Sequence, residues 1–93
     1  MTGGFDSTTR PRLPRGVRLQ EDRVRGGWSL LGPERVFQLD DIAVEILRRC
    51  DGERPLGAIE TDLAAAYGAD PADIADDVRQ FLRDMADKGM VSL

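Results

Sequence analysis

Glu34-Arg35-Val36-Phe37-Gln38-Leu39-Asp40-Asp41-Ile42-Ala43-Val44-Glu45-Ile46-Leu47 is the stretch that decides the fold, because its hydrophobic period changes partway along. Val36, Phe37 and Leu39 form a short strand-like run after the turn residues Gly32-Pro33. Asp40 can cap a helix by accepting bonds from the free N–H groups of its first turn. Asp41 adds negative charge where the helix dipole is positive. Ala43, Leu47 and Cys50 then recur at helical spacing, with Ile42 and Ile46 beside them. Strands are expected before this joint and helices after it.

Before the joint, Val17 and Leu19 alternate with Arg18 and Gln20 as a first strand. Glu21-Asp22-Arg23 reads as a turn. Val24 to Leu31 reads as a second strand with Gly26-Gly27 as a bulge or flat point, and Trp28 and Leu30 share one of its faces. Trp28 is expected as a core or hairpin anchor. Gly32-Pro33-Glu34 leads into the third strand, so the three form an antiparallel meander. After the joint, the first helix runs to about Cys50, and Gly52 is expected as its left-handed terminator. Pro55 suits the first turn of a second helix carrying Leu56, Ile59 and Leu63 and ending at Gly68. Gly57 lies inside it, and no Ser or Thr caps it, so it is expected to be short or frayed. Asp70-Pro71-Ala72-Asp73 starts a third helix, and Gly89 ends it. Met90-Val91-Ser92-Leu93 is a short apolar tail that can pack back. The fold class is α+β: a three-stranded antiparallel meander followed by three helices, winged-helix-like with its sheet at the front. Residues 1–12 hold little to bury and are expected to be disordered; residues 13–93 are expected to form one domain.

The composition narrows the chemistry. Of 93 residues, 41% are hydrophobic and 32% charged, as in a soluble globular domain, and there is no histidine. The single cysteine, Cys50, sits at an apolar helical position and reads as a buried structural thiol. It has no second thiol or imidazole with which to hold zinc or a cluster. A serine nucleophile would lack a histidine base, and Gly26-Gly27 lacks the spacing of a phosphate loop. The neighbours Asp40-Asp41 and Asp76-Asp77 read as helix-start and solvated residues. No apolar run approaches the roughly 20 residues of a membrane span, and no signal peptide is visible. A reducing, cytoplasmic setting and a binding module with no cofactor and no catalysis are therefore expected.

Two binding modes fit that order of elements. In a DNA-reading winged helix, helix three would enter the groove. It carries Asp70, Asp73, Asp76, Asp77, Asp84 and Asp87 against Arg79, Arg83 and Lys88, a balance that repels phosphates. An acidic winged-helix protein of transcription is thus the lesser alternative. In the second mode, a peptide adds as a strand to the free edge of strand three. Helix three is then the candidate wall, with an apolar stripe of Ile74, Val78, Phe81, Leu82 and Met85, flanked on one side by Asp77, Asp84 and Lys88. The same edge could pair two copies, but 93 residues in six elements can close one core, and a monomer is expected. The charge is uneven: residues 1–35 hold seven Arg against four acids, and residues 36–93 hold six bases against thirteen acids.

The residues also resemble a known family. Pro11-Arg12-Leu13-Pro14-Arg15-Gly16-Val17-Arg18-Leu19, Leu30-Leu31-Gly32-Pro33-Glu34-Arg35-Val36, Leu39-Asp40, Glu45-Ile46-Leu47, Cys50-Asp51-Gly52 and Lys88-Gly89-Met90-Val91 together look like the PqqD family, over about residues 11–93. PqqD proteins are peptide chaperones of pyrroloquinoline quinone (PQQ) biosynthesis, similar to the recognition domains that serve ribosomally made, modified peptides. The resemblance implies binding of the precursor peptide PqqA and its presentation to PqqE, a radical S-adenosylmethionine enzyme. An accessory domain that only stabilises PqqE is the alternative within the pathway. Some members are fused to PqqC. Carried onto this chain, the peptide-binding residues are Val36, Phe37, Gln38 and Leu39 on the strand, and Ile74, Asp77, Val78, Phe81, Leu82 and Met85 on the helix. Proline at Phe37 or Gln38 would remove a backbone donor there.

Overall fold

The computed structural model describes residues 5–93. Strands β1 (Arg18–Glu21), β2 (Trp28–Gly32) and β3 (Arg35–Leu39) precede helices α1 (Asp41–Arg48), α2 (Leu56–Tyr67) and α3 (Pro71–Asp87). The sheet is antiparallel in the order β1-β2-β3, so among the described residues one edge of β3 has no neighbouring strand. The expected α+β meander-then-helices architecture is the one observed.

The second strand is shorter than the sequence suggested. Val24 to Gly27 belong to a loop, and β2 begins at Trp28. The Asp22 carboxylate accepts bonds from the N–H groups of Val24 at 3.1 Å and Arg25 at 3.0 Å, which curls the chain. Gly26 and Gly27 follow with φ of 80° and 88°, conformations a paired strand does not hold. Val24 is 96% exposed as a result. Pro33 and Glu34 make the tight connection from β2 to β3, and Glu34 takes a left-handed φ of 59°.

The expected Asp40 cap forms, and a carboxylate caps α3 as well. Asp40 accepts from the Ala43 N–H and Asp70 from the Ala72 N–H, each at 2.9 Å. Gly68 ends α2 in the left-handed region. Gly52 is not the residue that ends α1: Arg49 caps that helix, and Gly52 lies further along with φ of 80°.

The main correction concerns the amino-terminal segment. Residues 1–4 lie outside the described residues, but the rest of the stretch expected to be disordered is bound to the domain. Arg12 exchanges both backbone bonds with Ser92, at 2.9 and 2.8 Å, and the Pro11 carbonyl accepts from Gly52. Further back, the Thr9 carbonyl accepts from Leu56 N–H at 2.7 Å and the Ser7 carbonyl from Gly57 N–H at 2.9 Å. The arm thus supplies to α2 the cap its own sequence lacks, since Pro55 has no side-chain acceptor. Gly57 admits this close approach: a Cβ there would lie 3.2 Å from Ser7 Cβ. The helix runs twelve residues instead of fraying.

The core lies between the inner sheet face and the helices. Leu30, Leu47, Leu56, Ile59, Leu63, Val78 and Leu82 are its centre, and Met90 and Val91 of the tail close one end. Glu60 is buried on α2 and receives two bonds from the Arg79 guanidinium on α3, at 2.8 and 3.3 Å. That pairing satisfies a carboxylate that would otherwise be costly to bury.

Candidate functional site

The free edge of β3 borders a groove of about 300 Å³. Register decides what faces it. Phe37 pairs across from Leu30, which is fully buried, so Phe37 and Leu39 project to the inner face while Val36 and Gln38 project outward. Backbone groups alternate as well. Gly32 and Arg35 close the two-residue connection, which makes them a hydrogen-bonded pair, and alternation makes Phe37 and Leu39 bond to β2. The N–H and C=O groups of Val36 and Gln38 therefore point to the free edge.

The opposite wall is α3. Ile74, Asp77 and Phe81 follow one another at helical spacing along the groove, with Val78 and Met85 set deeper. Val78 and Met85 are buried, whereas Ile74 and Phe81 are half-buried and Asp77 is exposed. Eight of the ten residues expected at a peptide site, namely Phe37, Gln38, Leu39, Ile74, Asp77, Val78, Phe81 and Met85, line this one groove. Two do not. Leu82 is fully buried in the core, one helical step round from Phe81. The Val36 side chain is 63% exposed on the outer sheet face, although its backbone is at the free edge.

The floor is formed by residues not expected there. Asp40, Ile42, Ala43 and Ile46 of the cap and α1 also line the groove. Ile42 and Ile46 stand at i and i+4, so the spacing that identified α1 also held the information that both share a face. What the sequence could not give was the angle at which α1 leaves β3. Among the described residues the lining is apolar apart from Gln38, Asp40 and Asp77, and it contains no cation. Asp40 uses one carboxylate oxygen to cap α1.

Several titratable groups outside the groove are tied into the fold. Arg49 joins the Glu45 carboxylate at 2.9 Å and also Asp62, and the hydrogen bond to Asp62 is the main reason its guanidinium holds its proton even more firmly than usual. The same bond lowers the Asp62 carboxyl below its ordinary range. The Cys50 thiol donates to the Ile46 carbonyl at 3.3 Å, and burial pushes its pKa up to about 12. Such a thiol is a poor nucleophile. Trp28 is half-buried, with the Arg48 guanidinium 4.8 Å from its ring centre. Among the described residues no helix is long and apolar enough to cross a membrane.

Comparison with known proteins fits this architecture. Residues 27–91 match the sequence profile of the family described as coenzyme PQQ synthesis protein D, PqqD. A protein of Rhodopseudomonas palustris strain TIE-1 named PqqA binding protein is 52% identical over 85 residues, covering 91% of this chain and 83% of the relative. A PqqA binding protein of Xanthomonas axonopodis pv. citri is 46% identical over 90 residues, covering 97% and 98%. The solution structure of the PqqD truncation of Methylobacterium extorquens PqqCD superposes with a TM-score of 0.83 at 43% identity, covering 97% of this chain and 96% of that one. That truncation is described as a functional, stand-alone recognition element for ribosomally synthesized and post-translationally modified peptides. With this profile match over most of its length and relatives at about half identity, the chain belongs to the PqqD family.

Proposed function

We propose that this chain binds the precursor peptide PqqA as an added strand along β3 and presents it to PqqE in PQQ biosynthesis. The observation that carries the reading is the coincidence of a free strand edge with an apolar groove walled by α3. A guest strand satisfies the Val36 and Gln38 backbone groups, and its inward side chains fill the groove. Family membership, with relatives named PqqA binding protein, supports PqqA as the guest. The protein performs no chemistry itself. It acts in the cytoplasm as a monomer, and holding PqqA beside PqqE raises the effective concentration of substrate. PqqC, joined to the PqqD part in the Methylobacterium extorquens protein, is a further partner in the same pathway.

The charge of α3 supports a peptide over DNA. Its cations are engaged elsewhere: Arg79 with Glu60, Lys88 with Asp84 at 3.2 Å, and Arg83 over the Phe5 ring. Its aspartates remain on the surface.

Gln38→Pro tests the mechanism cleanly. Proline is tolerated on an edge strand where its missing N–H would face solvent, so the fold survives, whereas Phe37→Pro breaks the ladder to β2. Calorimetry with PqqA should show about a tenfold or greater loss of affinity for Gln38→Pro, the scale of one or two lost hydrogen bonds. A ternary complex of this chain, PqqA and PqqE on size-exclusion chromatography completes the test. Unchanged affinity in Gln38→Pro would reject strand addition. PqqE binding without any retention of PqqA would reject presentation and favour a purely stabilising role.

A further inference from the structure

The charge pattern of the groove points to the kind of segment it accepts. Asp77 stands on the α3 wall between Ile74, three residues before it, and Phe81, four after it. Asp84, next along the same side of the helix, is held by Lys88. Asp77 has no salt-bridge partner among the described residues, and the only other carboxylate in the lining, Asp40, already caps α1. Among the described residues the groove therefore presents negative charge, apolar walls and no cation.

We infer that the groove selects an extended segment with apolar side chains at alternate inward positions and a lysine or arginine whose charged end reaches Asp77. This inference rests on the groove being the peptide site. A guest strand on β3 points every second side chain to the side of Phe37 and Leu39. Aliphatic residues at those positions meet Ile42, Ile46 and Val78. A lysine or arginine suits the rim, because its methylene stem can lie along Ile74 and Phe81 while its head stays near water and Asp77. An acidic guest residue at the same position meets like charge and is disfavoured.

The test uses wild type, Asp77→Asn and Asp77→Lys, with calorimetric titration of the unmodified PqqA peptide and of PqqA peptides in which each Lys or Arg is replaced singly by Gln. Asp77 is exposed, so the variants should keep the wild-type circular dichroism and melting point. Asp77→Asn is expected to weaken PqqA binding about three- to fivefold, with a shallower salt dependence, and Asp77→Lys more. One peptide cation should matter in wild type and no longer matter in Asp77→Asn. Replacing that cation by Glu should restore binding to Asp77→Lys. Affinities of Asp77→Asn and Asp77→Lys within about 1.5-fold of wild type, or the absence of any coupled peptide cation, overturn the inference while leaving the groove as the peptide site. Failure of wild type to bind PqqA, or full affinity in Gln38→Pro, overturns the inference and the proposed function together.

Discussion

Removing the amino-terminal arm should destabilise the domain by a predictable amount and change the meaning of Gly57. A chain beginning at Arg10 loses the Ser7 and Thr9 carbonyls that accept from Gly57 and Leu56. It keeps the Arg12–Ser92 pairing, so the loss is confined to the cap and the Phe5 contact. Two helix-start N–H groups return to water at a combined cost of about 1–2 kcal/mol. Phe5, partly buried against the core and under Arg83, adds about 1 kcal/mol. The sum, about 2–3 kcal/mol, is a large share of the stability of a domain this size. Urea unfolding followed by circular dichroism should show a midpoint lower by about 1–2 M. Gly57→Ala gives the internal control. In the shortened chain it should stabilise α2 by about 1 kcal/mol, the helix preference of Ala over Gly. In the full chain the new methyl meets Ser7 at 3.2 Å, and the gain should vanish or reverse. The same effect of Gly57→Ala in both backgrounds, or a truncation costing under about 0.5 kcal/mol, would refute the arm as the cap of α2.

Other outcomes follow from single features. Glu34 holds a left-handed φ of 59°, so Glu34→Gly should raise stability by about 1 kcal/mol in the same urea assay. Cys50 should resist thiol reagents at pH 8 in the folded protein and react at once in denaturant. Its folded pKa is raised from 9.0 to about 12, so the folded thiol stays neutral where the unfolded one ionises. That contribution is intact below pH 9 and is lost as pH rises from 9 towards 12, by up to about 1.4 kcal/mol per pH unit. Cys50→Ala should flatten the decline, as equilibrium unfolding across pH 8–11 would show. Glu60→Gln should cost about 1–2 kcal/mol by weakening the α2–α3 pairing with Arg79.

The joint at Asp40 was legible because its two halves have different periods and a carboxylate cap between them, and all three helices followed from the same kind of spacing. The boundary of β2 was not, because Val24 and Arg25 look like strand residues until the Asp22 carboxylate and two left-handed glycines are seen to turn them outward. The arm was misread for a related reason. Its residues bury little by themselves, and what fixes Ser7 and Thr9 is the unsatisfied N–H groups of a helix start some fifty residues away. At the groove, strand alternation and helical spacing placed the two walls. The periodicity of α3 could not separate Phe81 at the rim from Leu82 in the core, since both belong to one apolar stripe. Nor could it supply the α1 floor, which depends on the geometry of the β3–α1 corner.

Strand addition is tested most directly by an amide-resolved titration, with isotope-labelled protein and unlabelled PqqA followed by two-dimensional NMR. The account predicts saturable shifts concentrated in Val36 to Leu39 and along Ile74 to Met85, with the Gln38 amide also gaining protection from exchange. Saturable binding with shifts confined to the outer sheet face or the β1–β2 loop, or no shifts at saturating peptide, would contradict it.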